Sequence, residues 1–162
     1  MALVKQMDEA LTLSDTDLKV LRAIQQDASG SARELAERLG MSPSTLWRRV
    51  NELEQVGAIK SRVAIVDPER TGFSVCVFVF VNLADYDKST LRRFERFVND
   101  TPEILECFAV TGTNDYTLII RSRSVGEFER LLMDRILAHE SVASATSQFA
   151  LRQHKYSTAL PL

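Results

Sequence analysis

The chain has 162 residues, of which 45% are hydrophobic and 26% are charged, so it is long enough to bury a core. Its net charge of −2 excludes a broad electrostatic attraction to nucleic acid, and any DNA binding must depend on local charge and on assembly. No apolar run approaches the roughly 20 residues that span a bilayer, and the N-terminus lacks a signal-peptide pattern. We therefore expect a cytoplasmic protein that makes no membrane contact.

The cysteines and histidines form no recognisable cluster. Cys76 and Cys107 both lie in apolar, strand-like runs, where a free cysteine is most often a small buried hydrophobic residue. His139 falls at a predicted helix end and His154 in the tail, where surface positions are expected. No metal-ligand spacing, phosphate-binding glycine loop or nucleophile–base pattern is visible. The sequence therefore predicts no disulfide, no metal, no cofactor and no enzymatic site.

The first regular element is predicted to begin at Ser14. Residues 1–12 have no clear hydrophobic period and are expected to be loosely ordered. Ser14 and Asp17 have the spacing of a capping box, and Val20 and Leu21 begin the inward stripe of a helix. This helix would support the pair of helices that follows.

The stretch from Ser31 to Ile59 predicts a helix-turn-helix. Two apolar series at helical spacing run through it: Leu35, Ala36 and Leu39, then Leu46, Val50 and Leu53. Ser31 and Glu34 have capping-box spacing, and Ser42 precedes Pro43 as an N-cap precedes a proline in the first turn. Both helix starts are therefore encoded locally.

The second of these helices would turn a polar face outward. The residues on this face are Ser44, Thr45, Trp47, Arg48, Asn51 and Glu52. Hydroxyls at a helix N-terminus suit phosphate oxygens, and Arg and Asn pair with guanine and adenine edges in the major groove. The face is typical of a DNA-recognition helix, although the solvated side of any amphipathic helix pair has a similar composition.

Beyond Gly57, the segment 58–66 predicts a wing or hinge strand, and the turn-forming residues 67–72 mark a domain boundary. The next elements follow the order of a ferredoxin-like βαββαβ fold. They are a strand to residue 83, a helix at 89–99, strands at 104–110 and 116–121, a helix at 125–138 and a strand at 142–151. We thus expect an α+β chain with a winged-helix-like DNA-binding domain at 1–58, a hinge at 59–72 and an oligomerisation and effector domain at 73–162.

The first strand of this second domain, SVCVFVFVNL, is apolar on both of its faces. Helices on one side of a small sheet leave its other face uncovered. A partner subunit packed sheet on sheet would cover it and would set two recognition helices at a fixed spacing. The alternative is that the N-terminal helices cover this face.

Four motifs carry a resemblance to a known family: LSDTDLKVLRAI, SARELAERLGMSPSTLWRRVNELEQVGAIK, VTGTNDYTLII and SATSQFALRQHKYSTALPL. With them the chain resembles the leucine-responsive/AsnC family of bacterial and archaeal transcription regulators over nearly its whole length. The resemblance implies dimers that often assemble into octamers, a pseudo-palindromic double-stranded DNA operator, and a small effector, usually an amino acid, bound between dimers.

The resemblance also implies which residues act. The expected DNA-binding residues are Ser42, Ser44, Thr45, Trp47, Arg48, Arg49 and Asn51, of which Trp47 is expected either to touch a thymine methyl or to pack against a neighbour. The expected effector-binding residues are Gly112, Thr113, Asn114, Asp115, Tyr116, Ser147, Gln148 and Phe149. Asn114 departs from the residue that the family usually has at its position. Asp115 and the amide of Gly112 suit the ammonium and the carboxylate of an amino acid.

Two other functions stay open at this point. Sirohaem decarboxylases resemble the same two-domain scaffold and use histidine and basic side chains, which would make the chain an enzyme. A protein that compacts DNA without responding to a ligand would have the same recognition helix. The sequence favours the transcription regulator, because neither histidine is placed as a catalyst would be.

Overall fold

A computed structural model of the protein describes residues 12–27 and 30–162, so the expectation for residues 1–12 lies almost wholly outside the described residues. The chain separates into two compact units. The first contains the described residues up to Ala64 together with Lys155–Leu162, and the second is Ile65–His154. Across the described ranges, every helix is too short or too polar to cross a membrane.

The first unit is built on three helices, α1 (Asp15–Gln26), α2 (Ala32–Arg38) and α3 (Pro43–Gln55). Each begins at a serine whose hydroxyl accepts the backbone N–H three residues later, and these serines are Ser14, Ser31 and Ser42. The capping boxes predicted for α1 and α2 are both complete, and Pro43 occupies the first turn of α3. The predicted helix-turn-helix is confirmed.

A small core holds the three helices together. Its buried residues are Val20, Leu21, Leu35, Ala36, Leu46, Val50, Leu53 and Ile59. Gly40 and Gly57, with φ of 65° and 75°, follow the ends of α2 and α3 in the left-handed conformation, where a side chain would be strained. These glycines fix the turn into α3 and the exit from it.

The segment between the units differs from the prediction. Residues 60–67 form no regular secondary structure, so the strand expected at 58–66 is wrong for the single chain. A strand needs a neighbour to complete its ladder, and the described part of the chain supplies none there. The turn expected at 67–72 is present, since the Asp67 side chain accepts the N–H groups of Glu69 and Arg70.

The second unit is a four-stranded antiparallel sheet with helices. Its elements are β1 (Val75–Leu83), α4 (Lys88–Asn99), β2 (Ile104–Ala109), β3 (Tyr116–Ser122), α5 (Val125–Arg130) and β4 (Val142–Phe149). The strand order β2-β3-β1-β4 is that of the ferredoxin-like fold, so the α+β prediction is confirmed. The units have separate cores.

The helix predicted over 125–138 changes type midway. Helix α5 continues as a π-helical turn, Leu131–Ile136, in which the Leu137 N–H donates to the Leu132 carbonyl at 2.8 Å. Leu131 and Ile136 are both buried although they are five residues apart. A regular α-helix would rotate them about 140° away from each other, whereas the wider turn brings both onto the sheet.

The two faces of the sheet differ in what covers them. Val77, Val79 and Val81 of β1 point toward the helices and are fully buried in the core with Phe94. Phe78, on the opposite face, is 36% exposed, because successive side chains of a strand alternate between faces. Phe108 of β2 lies on the same outer face, because it pairs with Thr117 of β3, and Thr117 pairs with Phe80, which shares the face of Phe78. Phe108 is 50% exposed.

Because the units have separate cores, we expect Leu46→Ala to destabilise the first unit selectively. Leu46 is 2% exposed in the helical core, and truncation of such a leucine costs about 2–5 kcal/mol. Hydrogen exchange followed by mass spectrometry should show faster exchange in α1–α3 and unchanged protection in β1–β4. Ser44→Ala, an exposed change on the same helix, is the control. Equal loss of protection in both units would contradict two independent cores.

Candidate DNA-binding helix and effector loop

The predicted DNA-binding residues lie at the N-terminus and along the outward side of α3 and differ in exposure. Ser44, Trp47 and Arg48 are exposed, while Thr45 and Asn51 are half-buried. Trp47 is 66% exposed, so within the described chain it does not pack into a core. A large aromatic ring is left on the surface beside hydrogen-bonding groups.

The N-terminus of α3 forms a cluster of three hydroxyls. The Ser42 Oγ accepts the Thr45 N–H at 3.1 Å and lies 3.0 Å from the Ser44 Oγ and 2.8 Å from the Thr45 Oγ1. Ser42 therefore caps the helix, and the other two hydroxyls gather around it. Hydroxyls and free N–H groups at a helix N-terminus are suited to phosphate oxygens.

The two arginines of α3 have different surroundings. Arg48 is exposed and its Nη1 donates to the Glu52 carboxylate at 2.6 Å, one turn along the helix. Arg49 is less exposed and lies 3.5 Å from both Asp17 of α1 and Glu52. The Asp17 carboxylate also receives the Ser14 hydrogen bonds of the α1 capping box, and these, with Arg49, lower its pKa. Arg49 thus links α3 to α1, whereas Arg48 remains at the surface.

In the second unit, the loop between β2 and β3 is anchored by Asp115. Its Oδ2 accepts the Leu83 N–H at 2.8 Å and its Oδ1 accepts the Tyr86 hydroxyl at 2.7 Å, while its own N–H donates to the Val81 carbonyl at 3.0 Å. Gly112, with φ of 120°, forms the open side of the loop. A carboxylate has about four lone-pair positions, so two internal bonds leave room for a further donor.

Asn114 is connected to β1 and β4 through polar side chains. Its Nδ2 donates to the Asn82 Oδ1 at 3.4 Å, and the Asn82 Nδ2 donates to the Ser144 Oγ at 3.3 Å. Thr113 is exposed and its hydroxyl contacts only the neighbouring Asn114 amide. Sequence reasoning missed Asn82, Ser144 and Tyr86, because nothing in their local spacing links them to a loop about 30 residues away or more.

The other predicted effector residues are not beside this loop within one chain. Ser147 and Phe149 pair with Val79 and Val77, whereas the loop joins β1 at Val81 and β4 lies across β1 from β3. Gln148 points to the opposite sheet face from its two neighbours. The Phe149 ring contacts Phe128 edge-on, with centroids 5.4 Å apart. Ser147, Gln148 and Phe149 therefore lie on the opposite side of β1 from the loop.

Tyr116, another predicted effector residue, begins β3 and is partly buried against the core. Its ring centroid is 4.7 Å from that of Phe94, and burial raises the pKa of its hydroxyl above the ordinary value. A cleft of about 460 Å³ opens elsewhere in the unit, near the end of β3 and α5. It is lined by Phe73, Glu103, Ser122, Arg123, Glu127, Arg130, Leu131, Asp134 and Arg135, so none of the predicted effector residues contributes to it.

The cysteines and histidines lie in separate, partly buried or exposed surroundings. Cys76 and Cys107 are free and half-buried, and burial raises the pKa of the Cys107 thiol to about 11. His139 stacks on Phe97, with centroids 4.6 Å apart, and burial lowers its pKa. Among the residues that the structure describes, no three His, Cys, Asp or Glu side chains are grouped to hold a metal ion.

Two family models match the chain, and together they cover both units. A winged helix-turn-helix DNA-binding model matches residues 13–60, and an Lrp/AsnC ligand binding domain model matches residues 76–160. The matched regions contain α1–α3 and, except for Val75, all four strands of the sheet, respectively.

Similar proteins are transcriptional regulators. The glutamate uptake regulatory protein of Zymomonas mobilis is 35% identical, over 93% of this chain and 91% of its own. The Bkd operon transcriptional regulator of Pseudomonas aeruginosa is also 35% identical, over 93% and 98%. A transcriptional regulator from Neisseria meningitidis, solved in complex with L-Met, has a TM-score of 0.88 at 34% identity and covers 93% of this chain and 97% of its own.

From the Tyr86–Asp115 hydrogen bond we predict how the Tyr86 hydroxyl titrates. This bond and the nearby carboxylate raise the pKa of Tyr86 above its ordinary value of 10.0, because the protonated hydroxyl is the donor. Its contribution to stability is therefore present below pH 10 and lost as the pH rises through the raised pKa. In Asp115→Asn the pKa of Tyr86 should fall, as measured by NMR of ¹³C-labelled tyrosine rings. The pKa of Tyr116, which is raised mainly by burial, should change less. An unchanged pKa of Tyr86 in Asp115→Asn would show that the hydrogen bond is absent in solution.

Proposed function

Since the chain belongs to the Lrp/AsnC family of transcriptional regulators, we propose that it binds a pseudo-palindromic DNA operator as a homo-oligomer and responds to a small amino acid. That it is a DNA-binding transcriptional regulator with the ligand-binding domain of this family follows from the two matched models and the similar regulators. The operator, the assembly and the effector are the parts that we add. The protein would act in the cytoplasm, where its DNA is.

The observation that carries the DNA-binding part is the exposed face of α3. Trp47 and Arg48 stand free of the helical core, next to the hydroxyls of Ser44 and Thr45. Arginine reads guanine edges, a tryptophan ring can contact thymine methyls, and the hydroxyls suit phosphate. We assign Arg49 a supporting role, because its pairing with Asp17 holds α3 against α1.

The observation that supports assembly is the apolar outer face of the sheet. Phe78 and Phe108 are exposed there, in positions where a second copy packed sheet on sheet would bury them. A two-fold dimer places two α3 helices at a fixed distance, which matches half-sites about one helical turn, roughly 34 Å, apart. Octamers, which the resemblance implies, would join such dimers.

The effector would bind at the Gly112–Asp115 loop. The Asp115 carboxylate is held in place by Leu83 and Tyr86 and keeps acceptor capacity for an ammonium group. Ser147, Gln148 and Phe149 lie on the other side of β1 from this loop in one chain, which supports a pocket that they complete from another chain, between dimers. The Neisseria relative was solved with L-Met, which makes methionine the first candidate to test.

The alternative of an enzyme receives no support from the histidines. His139 is half-buried against Phe97, its Nδ1 accepts the Ser141 N–H at 3.2 Å, and the nearby Glu140 is paired with Arg93 at 2.9 Å. His154 is exposed in the tail. A DNA-compacting protein would bind DNA without selecting a sequence, and the experiment below separates it from a regulator.

Arg48→Ala should weaken binding to duplexes selected from a random pool. If Arg48 reads a base, the loss should be about 1–3 kcal/mol on the selected duplex and smaller on scrambled DNA, because a phosphate contact would weaken all sequences alike. Fluorescence anisotropy at fixed salt measures both. Loss of the exposed Arg48–Glu52 pair should itself change stability little.

Arg70→Ala is the matched control for this experiment. Arg70 is also an exposed arginine in a short-range ion pair, with Asp67, but it lies outside the helix-turn-helix. The Arg70→Ala substitution removes one positive charge, as Arg48→Ala does, and should leave the affinity for the selected duplex unchanged. Equal binding by wild type and Arg48→Ala would contradict the assignment of α3 as the recognition helix. Equal affinity of the wild type for all sequences would favour a compacting protein.

Asp115→Asn should abolish the effector response while preserving the loop. The amide can still accept the Leu83 N–H and bond to Tyr86, but it lacks the charge that an ammonium group requires. A thermal-shift screen of the twenty amino acids, starting with L-methionine, identifies the ligand, and calorimetry compares the variants. The effector-dependent change in DNA affinity, expected at about 1–3 kcal/mol, should vanish.

Tyr86→Phe serves as the control, since it removes a neighbour of the carboxylate and keeps its charge. It should retain binding of the ligand within a few-fold. If Asp115→Asn binds the identified amino acid as tightly as the wild type, Asp115 only shapes the turn and the pocket lies elsewhere. By reciprocity, the ligand should also bind with a different affinity when the operator is present.

A further inference from the structure

The last residues of the chain pack with the DNA-binding unit. Strand β4 ends at Phe149, and the residues after it form no helix or strand. Lys155–Leu162 nevertheless belong to the same compact unit as α1–α3. The chain therefore passes between the two units twice, once near Ala64 and once near His154.

Helix α1 contacts this segment through Gln25 and Arg22. The Gln25 Nε2 donates to the Leu160 carbonyl at 3.2 Å, and its Oε1 accepts the Leu160 N–H at 2.7 Å. The Arg22 Nε donates to the main-chain oxygen of Leu162 at 2.6 Å. Arg22 and Gln25 are three residues apart, so they project from the same face of α1.

The kind of contact indicates what the surface recognises. A side-chain amide that bonds both the N–H and the C=O of one residue holds the main chain at that residue, as a neighbouring strand does in a ladder. The Leu160 carbonyl also accepts the Leu162 N–H at 2.9 Å, so the segment turns where Gln25 holds it. The Leu160 side chain is 66% exposed, whereas that of Leu162 is 37% exposed, so Leu160 is held through its main chain. Hydrogen bonds of this type at a surface can be broken and re-formed readily.

We infer that the Arg22–Gln25 face of α1 is a docking surface for the chain's own segment 155–162, and that the docked segment is a releasable second tether on the DNA-binding unit. The segment is continuous with β4, and α1 is in turn linked to α3 by the Asp17–Arg49 pair. The tether thus acts on the helix that holds the recognition helix in place. Its effect on DNA binding rests on the proposed function, whereas the docking itself does not.

Gln25→Ala tests the docking, with Gln26→Ala as its matched control. Gln25→Ala removes two of the three hydrogen bonds without changing charge, and Gln26 is the adjacent glutamine, exposed and making no hydrogen bond to the segment. Hydrogen exchange of the full chain should show the Leu160 amide exchanging at least tenfold faster in Gln25→Ala and unchanged in Gln26→Ala. Wild-type exchange at the rate of an unprotected peptide would overturn the inference.

A second measurement identifies whose segment occupies the surface. Gln26→Cys and Leu160→Cys, which keep the Gln25 hydrogen bonds to the Leu160 main chain, are combined with Cys76→Ala and Cys107→Ala in one chain. ¹⁵N-labelled and unlabelled protein are mixed under conditions that exchange subunits, and a short bismaleimide is added. Cross-linked peptides should carry one isotope label throughout, because the segment and α1 belong to one chain. Peptides of mixed labelling would show that the segment docks on a partner and would overturn the assignment.

The tether's effect is read from DNA affinity. Gln25→Ala should bind the selected duplex at least threefold more weakly than the wild type, because the DNA-binding unit loses a restraint, and Gln26→Ala should bind normally. Equal affinity of Gln25→Ala and wild type would show that docking does not restrain the unit. If the wild type binds no DNA, the proposed function fails, while the exchange and cross-linking results still decide the docking.

Discussion

The sheet of the second unit has helices on only one of its faces, and the account of function depends on this constraint. Val77, Val79 and Val81 are buried on the face that the helices cover. Phe78 and Phe108 lie on the other face, where water would contact them. A second copy is the simplest cover for such a surface. It would fix the distance between two recognition helices.

Much of the fold could be predicted because its signals are local. Serine caps at Ser14, Ser31 and Ser42, each three residues before its bonded N–H, set the helix starts almost to the residue. Apolar periodicity assigned the buried face of α3, and therefore the exposed one with Trp47. The strand order followed from the βαββαβ succession, since few topologies connect such elements.

The rest depends on contacts between distant residues, which local patterns do not contain. The Tyr86 bond to Asp115, the Arg49 bridge to Asp17 and the Gln25 contact with Leu160 join residues that are far apart in the sequence. The π-helical turn at Leu131–Ile136 arises because the core requires both ends to be buried, which helical periodicity alone does not predict. The strand expected at 58–66 fails for the same kind of reason: a ladder needs a partner that the described chain lacks.

Sedimentation equilibrium of the full chain tests the dependence on the uncovered face most directly. Wild type should be a dimer or larger at micromolar concentration, and Phe78→Glu should weaken assembly at least tenfold, because it would place a charge on the apolar face that we propose a second copy covers. Met133→Glu, an equally drastic change at an exposed position on the helix-covered side, should assemble as the wild type does. A monomeric wild type, or a Phe78→Glu variant that assembles normally, would contradict the account.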